Sequence, residues 1–154
     1  MSRQHVSFDC GGSQLAGTLD TAPGTSGLLI VTGGNEIRSG TYSGQARLAE
    51  AIAKAGFPVF RFDRRGVGDS EGENRGFRHS REDILAANAA FRELCPQVNR
   101  VVAFGNCDAA SALMLMFGDM CDALVLSNPW TFEEDQSDEL PPDAIRSRYL
   151  EKLR

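Results

Sequence analysis

The sequence has only two histidines, one tryptophan, no Cys-x-x-Cys pair and no strictly apolar run longer than residues 112–117. Each shortage excludes something. A membrane-spanning helix needs roughly 18 apolar residues, so no span is expected. The opening Met1-Ser2-Arg3-Gln4-His5 lacks the apolar segment of a secretory signal, which makes a cytoplasmic location the default expectation. Cys10, Cys95, Cys107 and Cys121 lie too far apart in sequence for a zinc knuckle or a thioredoxin-like pair, so reduced thiols are expected and no metal or other cofactor is implied. Cationic excess is missing too. A net charge of −5 and a pI near 5.0 argue against nucleic acid as a partner, because phosphate binding needs clustered cations. What is present, 154 residues with 42% hydrophobic and 24% charged, describes one soluble globular domain. A chain of roughly 150 residues buries about two-thirds of its unfolded surface, so its core needs no disulfide staples.

The apolar pattern alternates between strand and helix. Residues 6–8 and 14–19 are short β-prone runs separated by Gly11-Gly12, which predicts an opening hairpin. Residues 28–31, 57–62, 101–104 and 123–126 are apolar runs bounded by turn residues, as expected of strands buried on both faces. Between them, residues 42–55 carry Leu48, Ala49, Ile52 and Ala53 on one helical stripe, ended by Gly56. Ser80 with Asp83 three residues on predicts a capped helix reaching Cys95, and residues 109–117 predict a third helix. This alternation predicts an α/β fold with a mostly parallel sheet and helices on both faces, over a core of residues 1–130. Beyond Trp130 an acidic run leads through Leu140-Pro141-Pro142 to a segment with Ile145, Tyr149 and Leu153 at four-residue steps. Residues 131–154 are therefore expected to form a linker and an amphipathic helix whose partner surface is absent from the chain.

In such folds ligands sit beyond the carboxyl ends of the strands, so the strand-to-helix loops carry the chemistry. The strand at 101–104 runs into Gly105-Asn106-Cys107-Asp108-Ala109, a Gly-x-Cys-x-Ala version of the Gly-x-Ser-x-Gly nucleophile elbow. Small residues on either side are required because the turn is too tight for larger ones, and Gly105 and Ala109 meet that need. A thiol at a helix N-terminus also feels the positive end of the macrodipole, which favours thiolate. The five residues alone leave open a buried structural cysteine. The loop from Thr32 to Tyr42 opens with Gly33 and Gly34, where acyl-transfer enzymes hold backbone N–H groups toward a developing oxyanion, or where an ordinary turn would also place glycine. No Gly-Lys-Ser/Thr follows, which excludes a phosphate loop. Gly66-Val67-Gly68 invites a dinucleotide-binding interpretation, but Glu71 stands where the third glycine is needed. Asp63 and Arg65 are read as an ion pair stabilising their turn.

These loops, in this order, resemble the α/β-hydrolase fold. Asp63-Arg64-Arg65-Gly66-Val67-Gly68-Asp69-Ser70 is similar to its Asp-x-Arg-Gly-x-Gly-x-Ser segment, and Ser39-Gly40-Thr41-Tyr42 resembles the first-helix start of monoacylglycerol-lipase-like members. Residues 33–40, 60–77 and 104–111 resemble more closely the exosortase A system-associated hydrolases. The resemblance implies a hydrolase of ester, thioester or amide bonds, acting on a small-molecule acyl substrate and linked to an exosortase and exopolysaccharide system. Carried over by position, it implies Cys107 as nucleophile and the backbone N–H groups of Asn35 and Asp108 as oxyanion hole. Gly33 stands where lipase-like relatives have His, which implies a differently shaped loop. Asn128-Pro129-Trp130 is either a strand-ending turn or the pocket rim.

The fold supplies its base as a late histidine oriented by an acid, in the order nucleophile, acid, base. Here both histidines precede Cys107, and His79 is expected to take a surface capping role. The expectation is an N-terminal part of a longer hydrolase with the late strands absent, leaving residues 124–126 as an exposed sheet edge open to homodimerisation. A second expectation is a catalytically incomplete binding or assembly module.

Overall fold

The computed structural model describes residues 2–116 and 119–131 of the chain. Gly11 and Gly12, with φ of 59° and 87°, form the two-residue turn that suits a right-twisted hairpin. It folds β1 (Arg3–Cys10) onto β2 (Ser13–Asp20), antiparallel from Arg3↔Asp20 to Cys10↔Ser13. Both strands outrun their apolar residues, because the polar ends pair through backbone groups that no hydropathy pattern marks. β2 joins β4 (Val59–Phe62) antiparallel. From there β3 (Ser26–Val31), β5 (Arg100–Asn106) and β6 (Ala123–Ser127) complete a parallel sheet with order β1-β2-β4-β3-β5-β6.

Strand alternation divides the core between two faces. Leu29, Val31, Phe60, Phe62, Val101 and Ala103 point to one side, where α2 (Arg81–Leu94) and α3 (Asp108–Leu115) cover them with Ile84, Phe91 and Leu113. Ile30 and Val59 point to the other, where α1 (Gly44–Lys54) covers them with Ala49. The α/β architecture with helices on both faces is thus the observed one. Since α1 carries the chain from β3 to β4 and α3 carries it from β5 to β6, the connections leave the neighbouring strands β3 and β5 in opposite directions. A crevice opens at their carboxyl ends, where such sheets bind ligands.

Two local expectations are corrected. The first helix begins at Gly44 rather than Tyr42, because Tyr42 and Ser43 both take positive φ (50° and 58°), and its Leu48 is exposed. Ser80 and Asp83 do not form a capping box: the Ser80 hydroxyl donates to the Gly76 carbonyl and makes no cap bond. The Asp83 carboxylate instead accepts from the Arg65 backbone N–H (2.9 Å) and Nε (2.6 Å). A charge-assisted pair with a guanidinium outcompetes a neutral backbone contact.

β6 is an edge strand among the described residues, with Val125 and Leu126 exposed. The expected linker and helix fall outside the described residues except for Thr131. No helix among the described residues is long and apolar enough to cross a membrane.

Glycine decides how the aromatic centre packs. Phe60 and Phe91 stack with centroids 5.7 Å apart, and a Cβ on Gly27 would lie 2.5 Å from Phe91 Cζ. Gly44, by contrast, sits at helical φ and ψ (−60°, −46°) with nothing within 4 Å of its Cβ position. Gly27→Ala is therefore expected to lower the unfolding free energy by about 1–3 kcal/mol, and Gly44→Ala to raise it by about 0.4–1 kcal/mol. Urea denaturation of both variants checks the opposite signs.

Candidate active site

The crevice between β3 and β5 is walled by two loops that touch. β5 ends at Asn106, and Cys107 takes φ 58° and ψ −129° before α3 starts at Asp108. An L-residue rarely adopts that conformation, which costs roughly 1–3 kcal/mol and persists only where its surroundings enforce it. Here they do. The Cys107 N–H donates to the Ser127 carbonyl (3.1 Å), and the Cys107 carbonyl accepts from the N–H of Trp130 (3.2 Å) and Ala110 (3.1 Å). The Ser111 hydroxyl donates to the Trp130 carbonyl (2.6 Å). Asn128-Pro129-Trp130 therefore ends β6 and also stitches that strand to the elbow.

Steric room confirms the need for small residues. A Cβ on Gly105 would lie 2.8 Å from the carbonyl carbon of Ala109, the fully buried residue on the far side of the turn. Gly33 faces the elbow from the other loop: its Cβ would lie 2.6 Å from the Asn106 carbonyl oxygen and 3.3 Å from Cys107 Cβ. A histidine at this position would need the elbow or the loop to shift, which accounts for glycine here.

The loop is held to the elbow by charge. The Gly34 N–H donates to Asp108 Oδ1 (2.6 Å), and Arg64 Nη2 donates to the Gly34 carbonyl (2.6 Å) and lies 3.3 Å from Asp108 Oδ2. Arg64 Nη1 donates to the Ser80 hydroxyl (3.1 Å). The Asn35 side chain accepts from Asn74 Nδ2 (2.9 Å). The backbone N–H of Asn35 has no acceptor among the described residues, nor does that of Asp108, which opens α3 where the helix offers it none.

Cys107, Asp108, Gly33, Gly34, Gly105 and Ala109 are thus brought together, with Asn35 next in the turn. Arg64 and Ser111 were not singled out by sequence. Arg64 sits in a motif dominated by its neighbours, and nothing in its spacing says that its side chain reaches Gly34 and Asp108.

The expected Asp63–Arg65 pair does not form. Asp63 accepts from Arg38, through both its backbone N–H (2.5 Å) and its Nη1, and from the Asp69 N–H (3.1 Å). Arg65 pairs with Glu82 (2.7 Å) and Asp83 (2.6 Å), and the hydrogen bonds to these two carboxylates hold its guanidinium pKa above the ordinary value. Each residue does stabilise the turn, but through other elements.

Neither histidine hydrogen-bonds to Cys107 among the described residues. His5 lies on β1, four strand positions from β5, or about 19 Å at the usual strand spacing. His79 is exposed in a short 3-10 turn (Phe77–His79) that packs against α3, and its Nδ1 bonds the Arg75 carbonyl oxygen (2.7 Å) rather than capping α2. No cluster of three or more His, Cys, Asp or Glu side chains among the described residues could hold a metal ion.

With this geometry in hand, comparison with known proteins is specific about family and coarse about chemistry. No protein of curated function matches the chain significantly. Solved structures do. An α/β hydrolase, GrgF from Penicillium sp. sh18, superposes with a TM-score of 0.74 at 23% identity over 99% of this chain and 53% of its own. The Pyrococcus furiosus esterase Pf2001 gives 0.71 at 17% identity over 83% and 51%. DcsB, solved with a substrate analogue, gives 0.73 at 20% identity over 99% and 55%. The chain spans about half the length of these structures, and at such identities the likeness shows the fold. The family profile described as serine aminopeptidase, S33, matches residues 25–153, and the chain belongs to that family of α/β hydrolases.

Proposed function

We propose that this chain carries the acyl-accepting half of a hydrolase site, with Cys107 as the nucleophile toward ester, thioester or amide carbonyls. The observation that carries this is the positive φ of Cys107 at a strand-to-helix turn (φ 58°, ψ −129°), a strained elbow that presents a half-buried free thiol at the strand's end. In the proposed step the Cys107 thiolate attacks the carbonyl carbon and the C–S bond forms. The carbonyl electrons move to oxygen, where the N–H groups of Asn35 and Asp108 receive the negative charge. The C=O bond then re-forms and the bond to the leaving group breaks, the leaving group keeping the electron pair and taking a proton from water. Hydrolysis of the thioester returns the thiol and releases a carboxylate. The long segments at 33–40, 60–77 and 104–111 support an association with an exosortase and exopolysaccharide system.

One observation favours a second reading, a binding or assembly module with an inert thiol: neither His5 nor His79 hydrogen-bonds to Cys107, their Nδ1 atoms meeting the Thr18 hydroxyl and the Arg75 carbonyl instead. Thiol reactivity separates the two. Burial pushes the thiols of Cys10, Cys95 and Cys121 up from their ordinary value, aided at Cys10 by the Asp83 carboxylate. Those three thus stay protonated to higher pH and react slowly. Iodoacetamide at pH 7.5 is expected to label Cys107 at least about tenfold faster than the other three, read by peptide mass spectrometry. Equal rates would favour the inert module.

Acylation tests the chemistry directly. With p-nitrophenyl acetate, the chain is expected to release about one equivalent of nitrophenol in a burst and to carry one acetyl group on Cys107. Cys107→Ala should abolish both. An undiminished burst in that variant would end the proposal.

A further inference from the structure

The loop after β3 contains a tight turn whose middle is a single peptide unit. The Glu36 N–H donates to the Gly33 carbonyl (3.0 Å), so Gly33 to Glu36 form a β-turn with Gly34 and Asn35 at its centre. Gly34 has φ 54° and Asn35 does not take positive φ, the pattern of a type II′ turn. The peptide linking the two central residues is the part of a β-turn that can rotate as a unit, since type I′ and type II′ differ chiefly in its direction. Glycine at one end and asparagine, which tolerates left-handed conformations, at the other make such a rotation cheap.

That peptide contains both the Gly34 carbonyl and the Asn35 N–H. In a trans peptide the two bonds point in opposite directions, so fixing one fixes the other. The Gly34 carbonyl is fixed by a donor that is itself immobile. Arg64 has a side chain only 3% exposed, and its Nη2 reaches the Gly34 oxygen at 2.6 Å. Its Nη1 is tied to Ser80 Oγ at 3.1 Å and its charge to Asp108 Oδ2 at 3.3 Å. On the other side of Gly34, the N–H bond to Asp108 Oδ1 (2.6 Å) holds the preceding peptide to the residue that follows Cys107.

We infer that Arg64 is a positioning residue that sets the direction of the Asn35 N–H by holding the Gly34 carbonyl. The Asn35 N–H then points away from the guanidinium and stays there, at no cost when charge develops on a substrate oxygen. A rotated peptide would offer the crevice a carbonyl where a donor is needed. This rests on the reading of Cys107 as a nucleophile served by the Asn35 N–H.

The test compares two reactions of the same thiol. Acylation by p-nitrophenyl acetate builds an oxyanion, whereas alkylation by iodoacetamide is a displacement at saturated carbon and builds none. Arg64→Met is expected to slow acylation at least tenfold, the loss of a whole oxyanion donor being worth about 10²–10³. Compared at the high-pH plateau of each rate profile, where Cys107 is fully thiolate and the lost guanidinium charge no longer alters its ionisation, the alkylation rate of Cys107 should stay within about twofold of the original. Arg64→Gln, which retains one N–H donor, should recover part of the loss. A parallel fall in both rates, or no fall in acylation, would overturn the inference. If the unaltered chain fails to acylate, the nucleophile reading falls and the clamp is judged by NMR alone. The Gly34 and Asn35 amide cross-peaks should then be single in the unaltered chain and shifted or doubled in Arg64→Met. Unmoved peaks would refute the clamp.

Discussion

Three consecutive charged residues at the end of β4 have almost no access to solvent as a group, and the rest of the crevice is arranged around satisfying them. Asp63 is fully buried, Arg64 nearly so, and the Arg65 side chain is 17% exposed. A buried charge without partners costs several kcal/mol, so each must find a counter-charge or a set of hydrogen bonds. Because successive side chains leave a turn in different directions, their partners come from several elements. Asp63 takes Arg38 from the loop after β3. Arg64 takes Gly34 from the loop after β3, Asp108 from the start of α3 and Ser80 from the turn before α2. Arg65 takes Glu82 and Asp83 from α2, with its Nη2 3.2 Å from the Cys10 sulfur at the tip of the hairpin. One turn thereby registers the hairpin, two loops and two helices against one another.

The electrostatic tie would be of no use without close steric approach. Gly33 and the elbow meet at a distance where a single methyl group would collide with the Asn106 carbonyl, and Gly105 meets Ala109 in the same way. These two contacts bring the β3 loop and the start of α3 into one site, and they hold Cys107 in its strained conformation. The strain is offset by backbone hydrogen bonds to Ser127, Ala110 and Trp130, so elements on both sides of β5 stabilise the elbow. The site is thus supported by the sheet on which it stands, which is the condition for donors that do not reorganise during reaction.

Much of this was legible in the residues. The runs at 28–31 and 101–104 announced β3 and β5, because fully buried strands admit little but apolar side chains, and the small residues flanking Cys107 marked the elbow, because sterics at such a turn leave few alternatives. Pairwise electrostatics was not legible. Asp63 and Arg65 are two residues apart and of opposite charge, yet both lie in the turn beyond β4, which sends their side chains to different partners. Ser80 and Asp83 have the spacing of a capping box, yet Arg65, distant in sequence, claims the carboxylate. Arg64 was invisible for the same reason: its partners come from loops and a helix up to 44 residues away. Local spacing predicts backbone geometry well and the destination of a long charged side chain poorly, since a guanidinium on its flexible stem can reach several elements.

A cysteine in a family described by a serine carries its own mechanistic consequence. A serine hydroxyl attacks only with a base to take its proton, whereas a thiolate is itself the nucleophile. On the proposed reading, the first half of acyl transfer is served by groups close to Cys107 in the fold: the elbow, the Asn35 N–H and the Asp108 N–H. The second half differs, because water must be activated to attack the thioester, and that demands a base. His5 is held across the sheet, and His79 makes no hydrogen bond to Cys107 among the described residues. On the proposed reading, the described residues accept an acyl group faster than they release it. An acyl-enzyme that accumulates is the direct chemical signature of an oxyanion site without its base, and its lifetime measures how much the base contributes once the two are combined.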